Sequence, residues 1–282
     1  MKPLFEHGSA RPPALVLAAW LVAAFLSTVC GIGGGLFAVP ILHYLGGLPM
    51  RVAIGTSLLL VCVLSATATA AEASHAASAL SAPIAALLIA GGMLGARAGF
   101  AAAQRMGTVL LKKLFVLVLV FSGVRILALD PGVLERAGDA AVFRTTLGSS
   151  LAVAAIGFAG GFLAPLLGVG GGLIVVPALL LTMDSVGYLE ARANSLAMTV
   201  VISAQSAWLY LRARLVHVES APWYAGIAGA AALLGVFAVH QPGWVAIARM
   251  ILASVLLCVA VRFAWDAWRL PWPGRARGGA SE

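Results

Sequence analysis

Charge is what this chain has least of. Asp, Glu, Lys and Arg make up 10% of its 282 residues, while 62% are hydrophobic and the mean hydropathy is +1.03. That balance excludes an ordinary soluble domain, where about a quarter of residues are charged. Cysteine is scarce as well. Cys30, Cys62 and Cys258 all sit in apolar runs with no Cys-x-x-Cys spacing, so they are expected as buried thiols rather than a disulfide framework or a metal site. No Walker A loop is present, which excludes ATP hydrolysis on this chain. The five histidines are scattered, and none pairs with an acid or cysteine at ligand spacing. Neither a His-Glu-x-x-His cluster nor a Gly-x-Ser-Gly context with a histidine partner exists, so no catalytic residue, metal or cofactor is assigned. The basic excess, +8, comes mostly from arginines near segment ends and in the tail, without interleaved aromatics. It suits acidic lipid at a cytoplasmic face, not nucleic acid.

What the chain has in abundance is uncharged length. From residue 14 to 50 nothing is charged except His43 on protonation. One straight helix over that run would reach roughly 55 Å, against a hydrocarbon core of about 30 Å. Lys2 and Arg11 before this run resemble a signal peptide, but no small-x-small site closes it, and Val29 stands where a lipoprotein box needs a small residue. The run is expected to be an uncleaved membrane segment. Its middle holds Gly31-Ile32-Gly33-Gly34-Gly35, followed by Pro40, and the same element returns as Gly168-Val169-Gly170-Gly171-Gly172 with Pro177. Glycine costs about 1 kcal/mol against alanine inside a helix and proline about 3, so both runs are predicted to break there. In lipid, unwound backbone survives only where protein or a water-filled cavity satisfies it.

The duplication extends further. Ala53–Leu58 aligns with Ala191–Leu196, Ser65 with Ser203, Gly95 with Gly235, and Arg125 with Arg262. The expected fold is an all-α polytopic membrane protein of two homologous repeats. A lead (1–13) precedes repeat 1 (14–129), then a linker (130–144), repeat 2 (145–268) and a disordered basic tail (269–282). Each repeat has four apolar segments, the first glycine-broken: 14–50, 52–71, 84–103 and 114–129, then 145–182, 193–211, 222–239 and 250–265. Charged residues between these segments, including Glu72 with His75 and Glu190 with Arg192, read as loops, and the tryptophans, Trp20 among them, as interfacial belts.

The doubled Gly-x-Gly-Gly-Gly-(x)4-Pro element, Gly55-Thr56-Ser57-Leu58 and Leu94-Gly95-Ala96-Arg97 resemble the TauE/SafE sulfite-exporter family over residues 14 to 268. The second copy departs from the first at Ala193 and Asn194, which replace Gly-Thr, and at Phe237, which stands for Arg97. The resemblance implies movement of small sulfur-containing anions such as sulfite or organosulfonates, and a bacterial inner-membrane location.

Broken helices in a duplicated membrane protein are the mark of a secondary transporter. Half-helix N-termini present free N–H groups and positive potential to an anion, so Gly33, Gly34, Gly35, Gly170, Gly171 and Gly172 are the first substrate-binding candidates. Thr56, Ser57, Asn194 and Ser195, beside the glycine elements in the repeat plan, are the second. Ser195, Thr199, Ser203 and Ser206 share one side of a helix. The expected partners are a small anion, a coupling ion (H+ or Na+) and the bilayer, with an oligomer also open. The alternative is a membrane anchor or intramembrane enzyme without transport activity.

Topology follows from charge. If each broken run is a re-entrant hairpin, each half crosses three times and the repeats are inverted. Arg125, Arg136, Arg144, Arg192 and Arg249 then lie outside, and the other 13 of 18 Lys and Arg lie inside. If each run crosses once, the repeats are parallel and 11 lie inside. The inverted arrangement fits the positive-inside rule better, and both place the two termini in the cytoplasm.

Overall fold

The computed structural model describes residues 14–31, 33–74, 79–107, 147–183, 186–219 and 221–239, with separate residues between 109 and 124 and between 250 and 265. The lead, the linker and the tail lie outside the described residues, as do His75, Arg125, Arg249, Arg262, Trp244, Trp268 and Trp272. Among those described, every regular element is helical: α1 (Ala14–Val29), α2 (Gly35–Pro40) continuing into a π-helical turn (Ile41–Leu45), α3 (Met50–Ser74), α4 (Ala82–Arg105), α5 (Leu147–Leu167), α6 (Gly172–Thr182), α7 (Tyr188–Arg212) and α8 (Ala221–Val239). Four of them, α3, α4, α5 and α8, are long and apolar enough to cross a membrane. Helix α7 matches α3 at 25 residues but carries Glu190, Arg192 and Arg212.

The glycine elements fall between helices. Gly31, Gly33 and Gly34 hold φ of 72°, 79° and 82°, and Gly168, Gly170 and Gly171 hold 74°, 77° and 94°. Side chains are disfavoured there, because Cβ would crowd the following carbonyl. The three left-handed glycines of each copy therefore end α1 and α5 and launch α2 and α6 in a new direction. Pro40 then withholds a donor inside α2, and the chain widens into the π turn.

Lipid tails are as apolar as leucine, so helices in a membrane associate through close packing of small residues. The α4–α5 interface is built that way. A Cβ on Gly91, Gly95 or Gly99 would overlap the carbonyl of Ala154, Phe158 or Phe162, and one on Gly157 or Gly161 that of Leu88 or Gly92. The contacts ascend together, so α4 and α5 run parallel. Helices α1 and α8 are also parallel: Trp20 Nε1 donates to Tyr224 O at 2.9 Å, and Gly235 rests on Thr28. The α3–α7 pair is antiparallel, since Gly55 meets Tyr210, Cys62 faces Val200 O and Glu72 binds Arg192. Each half thus lays its third segment on the first segment of the other. The outer faces present large apolar side chains, Leu94 (65% exposed) and Phe237 (67%) among them, as a lipid-facing surface does.

Several expectations need correction. Trp20 is fully buried, anchored by its bond to Tyr224, and belongs to no interfacial belt. Cys30 is buried, but Cys62 is half-buried and Cys258 exposed on an outer face. Glu190 and Arg192 lie in the first turns of α7 rather than in a loop, and Glu72 lies inside α3. Helix α3 runs past its predicted end, and α7 starts before its predicted beginning, because Glu72 and Arg192 are accommodated inside the bundle.

Candidate functional site

The two glycine turns meet. A Cβ on Gly35 would overlap the Gly168 carbonyl oxygen and stand 2.6 Å from Val169 Cα, so the turns touch backbone to backbone. Gly33 and Gly170 flank the same two side chains. A Cβ on Gly33 would lie 2.9 Å from Thr199 Cγ2 and 3.5 Å from Val61 Cγ1, and one on Gly170 2.6 and 2.7 Å from the same atoms. Val61 lies four residues after Ser57, and Thr199 four after Ser195, so they occupy matching positions of the two halves. Each is one residue from the midpoint of its 25-residue helix. The turns therefore enclose the centre of the antiparallel pair.

The polar candidates on α3 and α7 make reciprocal bonds between the halves. Ser57 Oγ donates to Gly168 O at 2.9 Å, while Ser195 Oγ reaches Gly31 O at 3.2 Å; these are the first glycine of the second turn and of the first. Thr56 Oγ1 accepts from the His217 backbone N at 2.9 Å, and Asn194 Oδ1 from the Ser81 backbone N at 3.1 Å. Asn194 Nδ2 donates to Glu190 O at 2.8 Å, so both ends of its amide are engaged. All four residues are fully buried. The sequence expectation gave them to substrate; the geometry gives each a bond that ties one half's central helix to the other half's turn or loop.

Hydroxyls without such bonds lie closer to the centre. Ser65 Oγ and Thr199 Oγ1 are buried with no hydrogen-bond partner, and Ser65 Oγ would be 3.1 Å from a Cβ on Gly33. Ser206 Oγ, further along α7, is likewise unpartnered, whereas Ser203 Oγ donates to Thr199 O at 2.5 Å. A buried polar group left unmatched costs about 1–3 kcal/mol, so each such group calls for an explanation, an unseen water or ion among them.

Sequence reasoning missed the ion pair of Glu72 and Arg192. Arg192 Nη1 donates to Glu72 Oε2 at 2.8 Å, with both side chains fully buried. The arginine stem lies against the first turn, its Cγ 2.6 Å from where a Cβ on Gly31 would be. A signal did exist: in the alignment of the halves, Ile54 matches Arg192 and Tyr210 matches Glu72, so both charges lack counterparts. Arg97 is exposed on α4, away from the turns, and His43 bonds Leu48 O at 2.8 Å through Nδ1. No cluster of three or more metal-binding side chains exists among the described residues.

Apolar helices around a buried polar centre define a multi-pass membrane protein. The family model described as sulfite exporter TauE/SafE matches residues 2–126 and 153–281, one segment in each half. The chain belongs to that family, which is a family of membrane transporters. No curated protein and no solved structure shows a significant match to it.

Proposed function

We propose that this chain is a secondary transporter, an exporter, of small sulfur-containing oxyanions such as sulfite or a small organosulfonate, bound where the two glycine turns meet. The observation that carries this reading is the enclosure of Val61 and Thr199, at the middle of α3 and α7, by both turns at once. Helices α2 and α6 start at Gly35 and Gly172, directly after the two turns, and a helix start favours an anion without a charged side chain. The unpartnered Ser65 and Thr199 hydroxyls add donors at the same place.

The halves are repeats of inverted orientation, each broken segment a re-entrant hairpin. Antiparallel α3 and α7, being matching segments, support the inversion. Doubling back supports the hairpin. Tyr188 Oη bonds Val29 O near the Glu72 end of α3, Gly34 lies against Trp20 and Leu64, and Val39 reaches Gly168 beside Ile54 and Ser57. The chain thus climbs α1 and descends α2 along the same helix. Two such halves rocking about the shared centre give alternating access. The site is that of a bacterial inner-membrane protein with both termini in the cytoplasm, using H+ or Na+ as coupling ion.

Flux of labelled sulfite into proteoliposomes tests the reading. Saturable uptake that unlabelled sulfite and methanesulfonate compete away supports it. Vesicles with protein that take up no more label than empty ones would leave the anchor or enzyme alternative.

A further inference from the structure

We propose that Arg192 is the cation that recognises the transported anion, through the Nε–Nη2 edge of its guanidinium. The inference rests on the transporter reading and adds a residue and a binding geometry to it. Arg192 has no solvent exposure, and only Nη1 is engaged, on Glu72. Nε and Nη2 are both buried without a hydrogen-bond partner. A guanidinium placed solely to neutralise a buried carboxylate would be expected to turn its two-pronged face to it, because the bidentate pair is the stronger one. Here the prong formed by Nε and Nη2 is left open inside the protein.

The arginine that carries this edge is rooted at the first glycine turn. The Arg192 stem packs on Gly31, and Ser195, one turn along α7, reaches the Gly31 carbonyl. Two parallel N–H groups match two oxygens of a sulfite, sulfonate or carboxylate, and match a spherical halide poorly. Glu72 then has a defined part: it holds the arginine's charge while the site is empty and competes with the anion for it. The matching position of the other half holds Ile54, beside Gly168, so one cation serves both turns and the protein takes one anion at a time.

Binding to the purified protein in detergent tests this, using sodium sulfite and sodium methanesulfonate against sodium chloride at equal ionic strength. The wild-type protein is expected to bind both oxyanions in preference to chloride. Arg192→Lys keeps the charge but loses the two-pronged edge, and should weaken both by about tenfold or more. Glu72→Gln removes the competitor and should tighten both. Because a lone buried charge can block folding, the double variant Glu72→Gln/Arg192→Met is made as well; it buries no charge, should fold, and should not bind. Affinity within about threefold of wild type in Arg192→Lys or in the double variant removes Arg192 from the site and leaves the transporter reading standing. Weakening by Glu72→Gln equal to that of Arg192→Lys makes the pair purely structural and overturns the proposal. No oxyanion binding by the wild-type protein overturns the transporter reading and this inference together.

Discussion

At one end of the α3–α7 pair two charges, Glu72 and Arg192, are buried against each other; at the other end the matching positions hold Tyr210 and Ile54. The backbone around the two ends is alike. Each has a left-handed glycine turn, and each has a serine from the opposite half bonded to the first glycine of that turn. The side chains differ in kind. Tyr210 Oη donates to Pro165 O at 2.7 Å and packs on Gly55, an apolar closure with one polar bond. What this teaches is a division of labour: matching backbone supplies two turns of like geometry, while unmatched side chains put the charge beside one of them.

The comparison breaks most visibly at the charged end. Arg192→Ala breaks the buried Glu72–Arg192 ion pair by removing one partner, and should lower unfolding free energy by about 3–5 kcal/mol. Tyr210→Phe, at the position that matches Glu72, loses one bond and should cost about 1–2 kcal/mol. Reversible unfolding in detergent measures both, and equal losses would mean the ends are not different in kind. Next come the paired loop contacts. Asn194→Ala removes two hydrogen bonds and should cost about 2 kcal/mol, while Thr56→Val removes one and should cost about 1; the same unfolding series reads the order. Of the two serines, Ser57 has the shorter bonds, 2.8 Å to Ile54 O and 2.9 Å to Gly168 O, against 3.2 and 3.5 Å for Ser195. Ser57→Ala should therefore destabilise by about 1 kcal/mol and Ser195→Ala by less. The smallest stability effect is expected from Thr199→Val, which makes the centre of α7 match Val61. Its hydroxyl has no partner to lose, so stability should hold or rise slightly while sulfite flux falls. Unchanged flux would take the hydroxyl out of the transport path.

Much of this was legible in the sequence. The glycine triplets and prolines located both turns, because their conformational cost in a helix is local. The 3.6-residue spacing of Ser195, Thr199, Ser203 and Ser206 identified the buried face of α7, and all four are fully buried. Charges at the ends of apolar runs misled. Glu72 and Arg192 each stand where an apolar window closes, the usual sign of a loop. They are inside because an antiparallel partner 120 residues away carries the opposite charge at the same level. The same distance effect hid Trp20, whose ring is held by Tyr224 O, 204 residues on. Thr56 and Asn194 read from the sequence as substrate contacts and not as bonds between halves, since their partners, His217 N and Ser81 N, are backbone groups that no side-chain pattern announces.

The central claim is that the two halves face opposite ways across the membrane, and Gly107 offers the most direct test of it. It follows α4, is exposed, and has open space where a Cβ would stand, so a cysteine there should be tolerated. In a background without Cys30, Cys62 and Cys258, Gly107→Cys is treated with a membrane-impermeant thiol reagent, first on intact cells and then on permeabilised ones. Inverted halves with hairpin turns place residue 107 in the cytoplasm, so labelling should appear only after permeabilisation. Strong labelling of intact cells would put it outside, make the halves parallel, and contradict the account.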